Sequence, residues 1–327
     1  MIWPAIAITI ALLGLAYLVA EAKIVRLVMS IFERPPTFLP PETEPDEEAE
    51  RISFRTSDGV KISACLNCRD ESISRGLIIF CPEYGANKWS WKKYCRGLWE
   101  AGFDVLALDF RNQGDSERVE SYGELHWLTE YEIEDVKAAI QYVKSQPDLA
   151  ERPIGLMGVS RGGAAALAAG ADSPDVELIA TDSAFPTEPL MMYFVDRWVK
   201  VYAPQWVYNL VPRWHTRFTL KMVKRFSQMS RHCQYAEILP RLKRMESRKR
   251  VMLVAGSGDS FVDLKVTNIL ENALGAKCEE LWIVDNAKHN MSVLLAPDEY
   301  QVRLENFFSQ MSPVHEQPVR MAEEATA

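Results

Sequence analysis

The sequence predicts an α/β fold: a mainly parallel sheet with helices on both faces, interrupted by a helical cap and preceded by one transmembrane helix. Three observations carry this expectation. From Arg51 to Met311, apolar strand-like runs alternate with stretches of helical periodicity, the pattern of a parallel sheet covered on both sides. One of those strands passes straight into a small-residue helix across Gly158-Val159-Ser160-Arg161-Gly162. Ahead of the alternating region, residues 2–20 carry no charge.

At about 1.5 Å per residue, that uncharged run just spans a bilayer core of roughly 30 Å. Lys23, Arg26 and Arg34 follow it and nothing basic precedes it. The positive-inside rule then puts the N-terminus outside and the rest of the chain in the cytoplasm. A secretory signal peptide is the competing reading, because Ala20-Glu21-Ala22 looks like a cleavage site. The basic n-region is missing, however, and the apolar run is longer than a signal core needs. Residues 1–34 are therefore read as a retained anchor. Residues 35–50 are proline-rich and acidic, which suits either an extended linker or an irregular arm lying on the domain surface.

The domain itself is expected over 51–311. Ile52–Thr56 and Val60–Leu66 are expected to form a hairpin around Ser57-Asp58-Gly59. Gly76–Cys81 reads as a buried strand, Trp89–Ala101 as a helix, Phe103–Asp109 as a strand and Tyr131–Ser145 as a helix. After Gly162 come strands Val176–Asp182, Arg250–Ala255 and Glu279–Val284, with helices Asp263–Leu274 and Pro297–Met311. Residues 312–327 read as a disordered tail.

Residues 186–249 break the alternation. They show no strand pattern, are rich in aromatics that include Trp198 and Trp206, and carry more basic than acidic residues. They are expected to form a helical cap inserted between two strands. Within it, Trp214–Arg231 sets Phe218, Met222, Val223 and Phe226 apart from Lys221, Lys224, Arg225 and Arg231. That pattern fits an ordinary cap helix with a solvated basic face, or a helix that touches anionic headgroups.

Composition narrows the function. The 327 residues are 48% hydrophobic and 25% charged, with a net charge of -8, which argues against general nucleic-acid binding. Cys65 and Cys68 are spaced C-x-x-C, yet no second such pair or His pair completes a zinc site. Ordinary reduced cysteines in a reducing compartment are expected.

The chemistry centres on Ser160. A serine in a G-x-S-x-G turn between strand and helix is held in a strained conformation, with its hydroxyl presented at the head of the sheet. The hydroxyl needs a base, and the base needs an orienting carboxylate. Of the five histidines, His126 lies in a polar connection, His215 and His232 in the cap, and His315 in the tail. Only His289 follows a core strand. Asp259 falls in the loop after strand Arg250–Ala255, at the sheet edge where such folds build their sites. Asp182 is the alternative acid, and Asp263 is expected to cap the next helix instead.

These ordered motifs resemble the α/β-hydrolase superfamily, in its esterase, lysophospholipase and serine-aminopeptidase branch. The elbow at Gly158–Gly162, the D-x-R-x-x-G-x-S loop Asp109–Ser116, the acid loop Gly256–Val262 and Lys288-His289 all match. The resemblance implies acyl transfer to water with no metal or cofactor. It also implies an oxyanion hole from the backbone N–H groups of Tyr84 and Arg161. The family's usual His-Gly-x-Gly is replaced here by Pro82-Glu83-Tyr84-Gly85. Glu83 is thus left to repel anionic substrates, bond a polar substrate group, or point away. With Trp198 and Trp206, it is a candidate for the substrate pocket. The expected activity is cleavage of small-molecule acyl esters, lipid-derived ones included, by a membrane-anchored serine hydrolase. A peptidase or amidase on the same three residues, and a non-catalytic lipid- or partner-binding domain, are the alternatives.

Overall fold

The computed structural model describes residues 2–36, 43–69, 74–202 and 204–311. In chain order these form α1 (Ile2–Phe32), β1 (Glu50–Arg55), β2 (Lys61–Asn67), β3 (Leu77–Cys81), α2 (Trp91–Glu100), β4 (Asp104–Leu108) and α3 (Glu130–Ser145). Next come β5 (Ile154–Val159), α4 (Arg161–Asp172), β6 (Val176–Asp182), α5 (Thr187–Tyr202), α6 (Gln205–Leu210), α7 (Arg213–Arg231) and α8 (Ile238–Arg244). The chain continues through β7 (Arg250–Gly256), α9 (Leu264–Leu274), β8 (Cys278–Val284), α10 (Ser292–Leu295) and α11 (Pro297–Phe308). The strands form one eight-stranded sheet in the order β1-β2-β4-β3-β5-β6-β7-β8. Only the β1–β2 and β2–β4 pairings are antiparallel.

Why this sheet forms is visible in its centre. Every residue of β3, β4 and β5 is buried, as expected for parallel strands covered on both faces. Each fully buried Leu, Ile, Val or Phe there contributes about 1.5–3 kcal/mol of burial energy. The β3–β5 register sets Cys81 beside Gly158, and the β5–β6 register sets Val159 beside Asp182. Three parallel strands therefore end together, and their loops share one edge of the sheet.

The chain divides into two compact units. The first comprises 1–38, 120–129 and 187–236; the second is the sheet unit of 39–119, 130–186 and 237–327. This partition differs from the expected boundaries in two ways. The stretch 237–249 groups with the sheet unit, because Ile238 and Leu242 of α8 are buried and Arg241 bonds Glu130 at 2.6 Å. The N-terminal helix groups with the cap rather than standing apart. It runs to Phe32 and buries Glu21, Val25 and Phe32.

The acidic stretch is described over residues 43–49. Asp46 lies 3.7 Å from Lys92, and Ala49 is buried in the core cluster. The expected linker residues 37–42 and the expected tail, 312–327, lie outside the described residues.

Candidate active site

β5 ends at Val159, and Ser160 takes φ 52°, ψ -119°. A non-glycine residue with positive φ is uncommon and costs free energy that the surroundings must offset. Here the Ser160 N–H bonds the Asp182 carbonyl at 2.8 Å, while the Ser160 carbonyl accepts from Ala164 at 3.0 Å. The flanking glycines are required by close approach. A Cβ on Gly158 would lie 2.5 Å from the Gly162 carbonyl oxygen, and one on Gly162 would lie 2.2 Å from the carbonyl oxygens of both Cys81 and Pro82. The start of α4 is thereby pressed against the backbone that leads to Tyr84.

Three side chains predicted from sequence are brought together by this edge. Ser160 Oγ stands 2.8 Å from His289 Nε2, and His289 Nδ1 stands 2.7 Å from Asp259 Oδ2. The other Asp259 oxygen accepts the N–H groups of Phe261 and Val262, each at 2.8 Å. All three residues are buried. The Phe261 ring packs against the imidazole with centroids 4.8 Å apart. The carboxylate is thus pinned by two backbone donors on one oxygen and presents the other to the imidazole. Asp263 caps α9 by accepting from Lys265 N at 2.9 Å.

Asp182, the alternative acid, sits at the end of β6 and takes a different role. Its Oδ1 accepts from Ser183 Oγ at 2.9 Å and from Ser292 Oγ at 3.1 Å. Burial pushes its carboxyl up to about 6, partly offset by those two hydroxyls. Ser183 and Asn290, like Ser160, have positive φ, and the Asn290 N–H reaches Ser183 Oγ at 3.4 Å. Asp182 therefore ties the elbow strand to the histidine loop from beneath.

The oxyanion loop departs from the usual glycines, and the structure shows where the replacement goes. Glu83 is only 2% exposed. Tyr94 donates its hydroxyl to Glu83 Oε1 at 2.9 Å, and Lys93 Nζ lies 2.9 Å from the same hydroxyl. Glu83 Oε2 has no hydrogen-bond partner among the described residues. Burial raises the Glu83 carboxyl above the ordinary carboxylate range and lowers the Lys93 amine below that of a free lysine. The Glu83 carboxyl is thus bonded to Tyr94 on one oxygen and lies within electrostatic reach of Lys93 and His289. The Arg161 guanidinium lies over the Tyr84 ring at 4.8 Å and 3.7 Å from Glu132. Trp198 and Trp206 belong to α5 and α6 of the other unit, where both are exposed.

Sequence reasoning missed the braces behind this loop. Lys88 is buried, with its ammonium 2.6 Å from Asp109 and 2.7 Å from Asp115. Asp109 also accepts the Lys88 N–H at 2.5 Å and the Asp115 N–H at 2.9 Å. Arg111 pairs with Asp135 and Asp58, each at 2.7 Å. The D-x-R-x-x-G-x-S motif thus holds two loops in place through charge-assisted bonds. Lys88 carries no sequence signal, because its partners lie about twenty or more positions away in the chain.

The comparisons with known proteins agree with this architecture. The profile of the Alpha/beta hydrolase family matches residues 78–301. No curated protein matches the sequence. Among solved structures, an esterase from Pyrococcus furiosus aligns with a TM-score of 0.58 at 24% identity, covering 85% of this chain and 99% of that one. A dienelactone hydrolase from Anabaena variabilis aligns with a TM-score of 0.52 at 17% identity, over 81% and 96%. An alpha/beta hydrolase from a Penicillium species aligns with a TM-score of 0.56 at 18% identity, over 80% and 98%. At these identities the likeness speaks to the fold.

Proposed function

The chain belongs to the Alpha/beta hydrolase family, and from that premise we propose that it is a membrane-anchored serine hydrolase that cleaves carboxylic esters. The observation that carries the reading is the unbroken relay from Ser160 through His289 to Asp259, at 2.8 and 2.7 Å. In the proposed reaction Ser160 Oγ attacks the ester carbonyl carbon as its proton passes to His289 Nε2. Asp259 holds Nδ1–H and stabilises the imidazolium that forms. The tetrahedral oxyanion is met by the backbone N–H groups of Tyr84 and Arg161, a type of contact worth about 3–4 kcal/mol. The intermediate then collapses: the bond to the alkoxide breaks, His289 gives it the proton so that it leaves as the alcohol, and the acyl group stays on Ser160 Oγ. Water, deprotonated by the same histidine, releases the acid and restores Ser160. No metal or cofactor enters these steps.

An ester is favoured over an amine-bearing peptide because the one unusual carboxylate, Glu83, is buried against Tyr94. A purely binding role would give the strained Ser160 backbone and the paired histidine no task. The anchor reading is supported by the mean hydropathy of α1, 2.1 over its most apolar window. Retention of α1 is supported by Glu21, which accepts from Thr219 Oγ1 at 2.6 Å within the same unit. The charge pattern after residue 20 favours a cytoplasmic catalytic domain, and lipid-derived esters are then the natural substrates.

The test is labelling by a fluorophosphonate probe, run beside hydrolysis of p-nitrophenyl esters of increasing chain length. Wild type is expected to label and turn over. Ser160→Ala and His289→Ala are expected to lose both while keeping the wild-type circular dichroism. Folded wild-type protein that neither labels nor hydrolyses would overturn the proposal.

A further inference from the structure

The N-terminal helix is not a free tether. Three side-chain pairs join α1 and the turn that ends it to α7: Tyr17 with His215 at 3.0 Å, Glu21 with Thr219 at 2.6 Å, and Glu33, just past α1, with Arg231 at 2.5 Å. All three are separated by 198 residues. A constant offset means that the two helices run parallel and in register. Antiparallel helices would hold a constant sum instead. Ser227 adds a bond to Glu33 at 2.6 Å, and Trp127 donates to the Phe32 carbonyl at 2.9 Å while stacking on its ring.

This register fixes how far α1 can reach alone. Residues 2–16 extend beyond the first tie, and at about 1.5 Å per residue they cover about 22 Å, less than a hydrocarbon core of roughly 30 Å. The uncharged run continues to Ala20, alongside the first turns of α7. If α1 crosses the bilayer, the start of α7 must enter the same leaflet.

The surface there has the matching chemistry. Trp214 is 66% exposed at the first turn of α7, and Trp206 and Leu210 of the preceding helix are 68% and 73% exposed. Tyr17, Leu18, Trp214, Phe218, Met222 and Phe226 line an open apolar groove of about 740 Å³ between α1 and α7. Arg217, Lys221 and Arg225 are exposed on α7, and Lys23 and Arg26 on α1. Aromatics at the level where a span ends, with cations beside them, are what a headgroup layer selects.

We propose that the α6–α7 corner of this unit is seated in the interfacial zone of an anionic bilayer leaflet. Trp206, Leu210 and Trp214 sink beside α1, acyl chains fill the α1–α7 groove, and Arg217, Lys221 and Arg225 meet the headgroups. The inference rests on the anchor reading of α1. It also gives exposed Trp206 a lipid-facing role in place of the substrate pocket expected from sequence.

The full chain would be reconstituted in nanodiscs of phosphatidylcholine with phosphatidylglycerol, after Cys68, Cys233 and Cys278 are replaced by Ser. A fluorophore would be placed through Leu210→Cys or, separately, Leu12→Cys. Emission from position 210 is expected to be lost more to a nitroxide near the headgroups than to one at the chain end. Position 12 is expected to show the reverse. Quenching at 210 by aqueous iodide alone, with position 12 still quenched by lipid, overturns the seating and leaves the anchor standing. Iodide quenching at both positions overturns the anchor as well. Lipid quenching at 210 that is unchanged in phosphatidylcholine alone would overturn the choice of an anionic leaflet.

Discussion

The two units of this protein are built on opposite plans. In the sheet unit, β3, β4 and β5 are buried throughout, and the buried polar residues in the loops of the same unit are paired with one another: Ser160 with His289, His289 with Asp259, Lys88 with Asp109. In the unit of α1 and the cap, α1 buries Glu21 through hydrogen bonds, while Leu12, Leu13 and Leu18 are exposed. Water explains the first plan, since apolar surface leaves it at about 25 cal/mol per Å². On the proposed anchor reading a lipid environment accounts for the second, because polar side chains there gain most by bonding one another and apolar ones face outward at no cost.

The largest test of this contrast lies in the sheet unit. Asp259→Asn keeps the shape of the acid but removes its charge and disturbs the imidazole tautomer, so kcat should fall by about 10⁴. Steady-state kinetics on a p-nitrophenyl ester check this. A loss of less than tenfold would mean that Asp259 is structural and that the buried relay is not the catalytic device.

A smaller effect is expected in the other unit. Phe32→Ala removes a ring stacked on Trp127 at 4.8 Å and should destabilise that unit by about 3 kcal/mol. Hydrogen exchange of the α7 amides in nanodiscs is the readout. Protection unchanged from wild type would show that α1 is a tether after all, and the contrast would lose its second half.

The smallest effect sharpens the picture beneath the site. Burial holds the Asp182 carboxyl at about 6, above its ordinary 3.8. The native state therefore keeps this proton longer than the unfolded chain does. Its contribution is full below the ordinary carboxylate range and is lost as pH rises from 3.8 to about 6. Asp182→Asn should remove that decline. The stability difference between variant and wild type is expected to shift in favour of the variant by no more than about 2 kcal/mol across this window. Denaturant titrations at pH 4 and 7 measure it, and a difference independent of pH would show that Asp182 is ionised throughout.

What sequence alone determined was local in origin. The alternation of strand and helix, the G-x-S-x-G turn, the hairpin at Gly59 and the Asp263 cap each rest on periodicity or on φ preferences within a few residues. Ser160, Asp259 and His289 were legible because each follows a core strand, and parallel strands bring their following loops to one edge. Tertiary structure decided everything that depended on distant partners. Lys88 became a brace because Asp109 and Asp115 lie across the loop. Glu83 turned inward because Tyr94 offered a hydroxyl. Residues 237–249 left the cap because Ile238 and Leu242 found a core in the sheet unit. The N-terminal helix joined the cap through pairs 198 positions apart. A partner that far along the chain leaves no periodic trace, so only the folded chain reveals which charges and rings are shared.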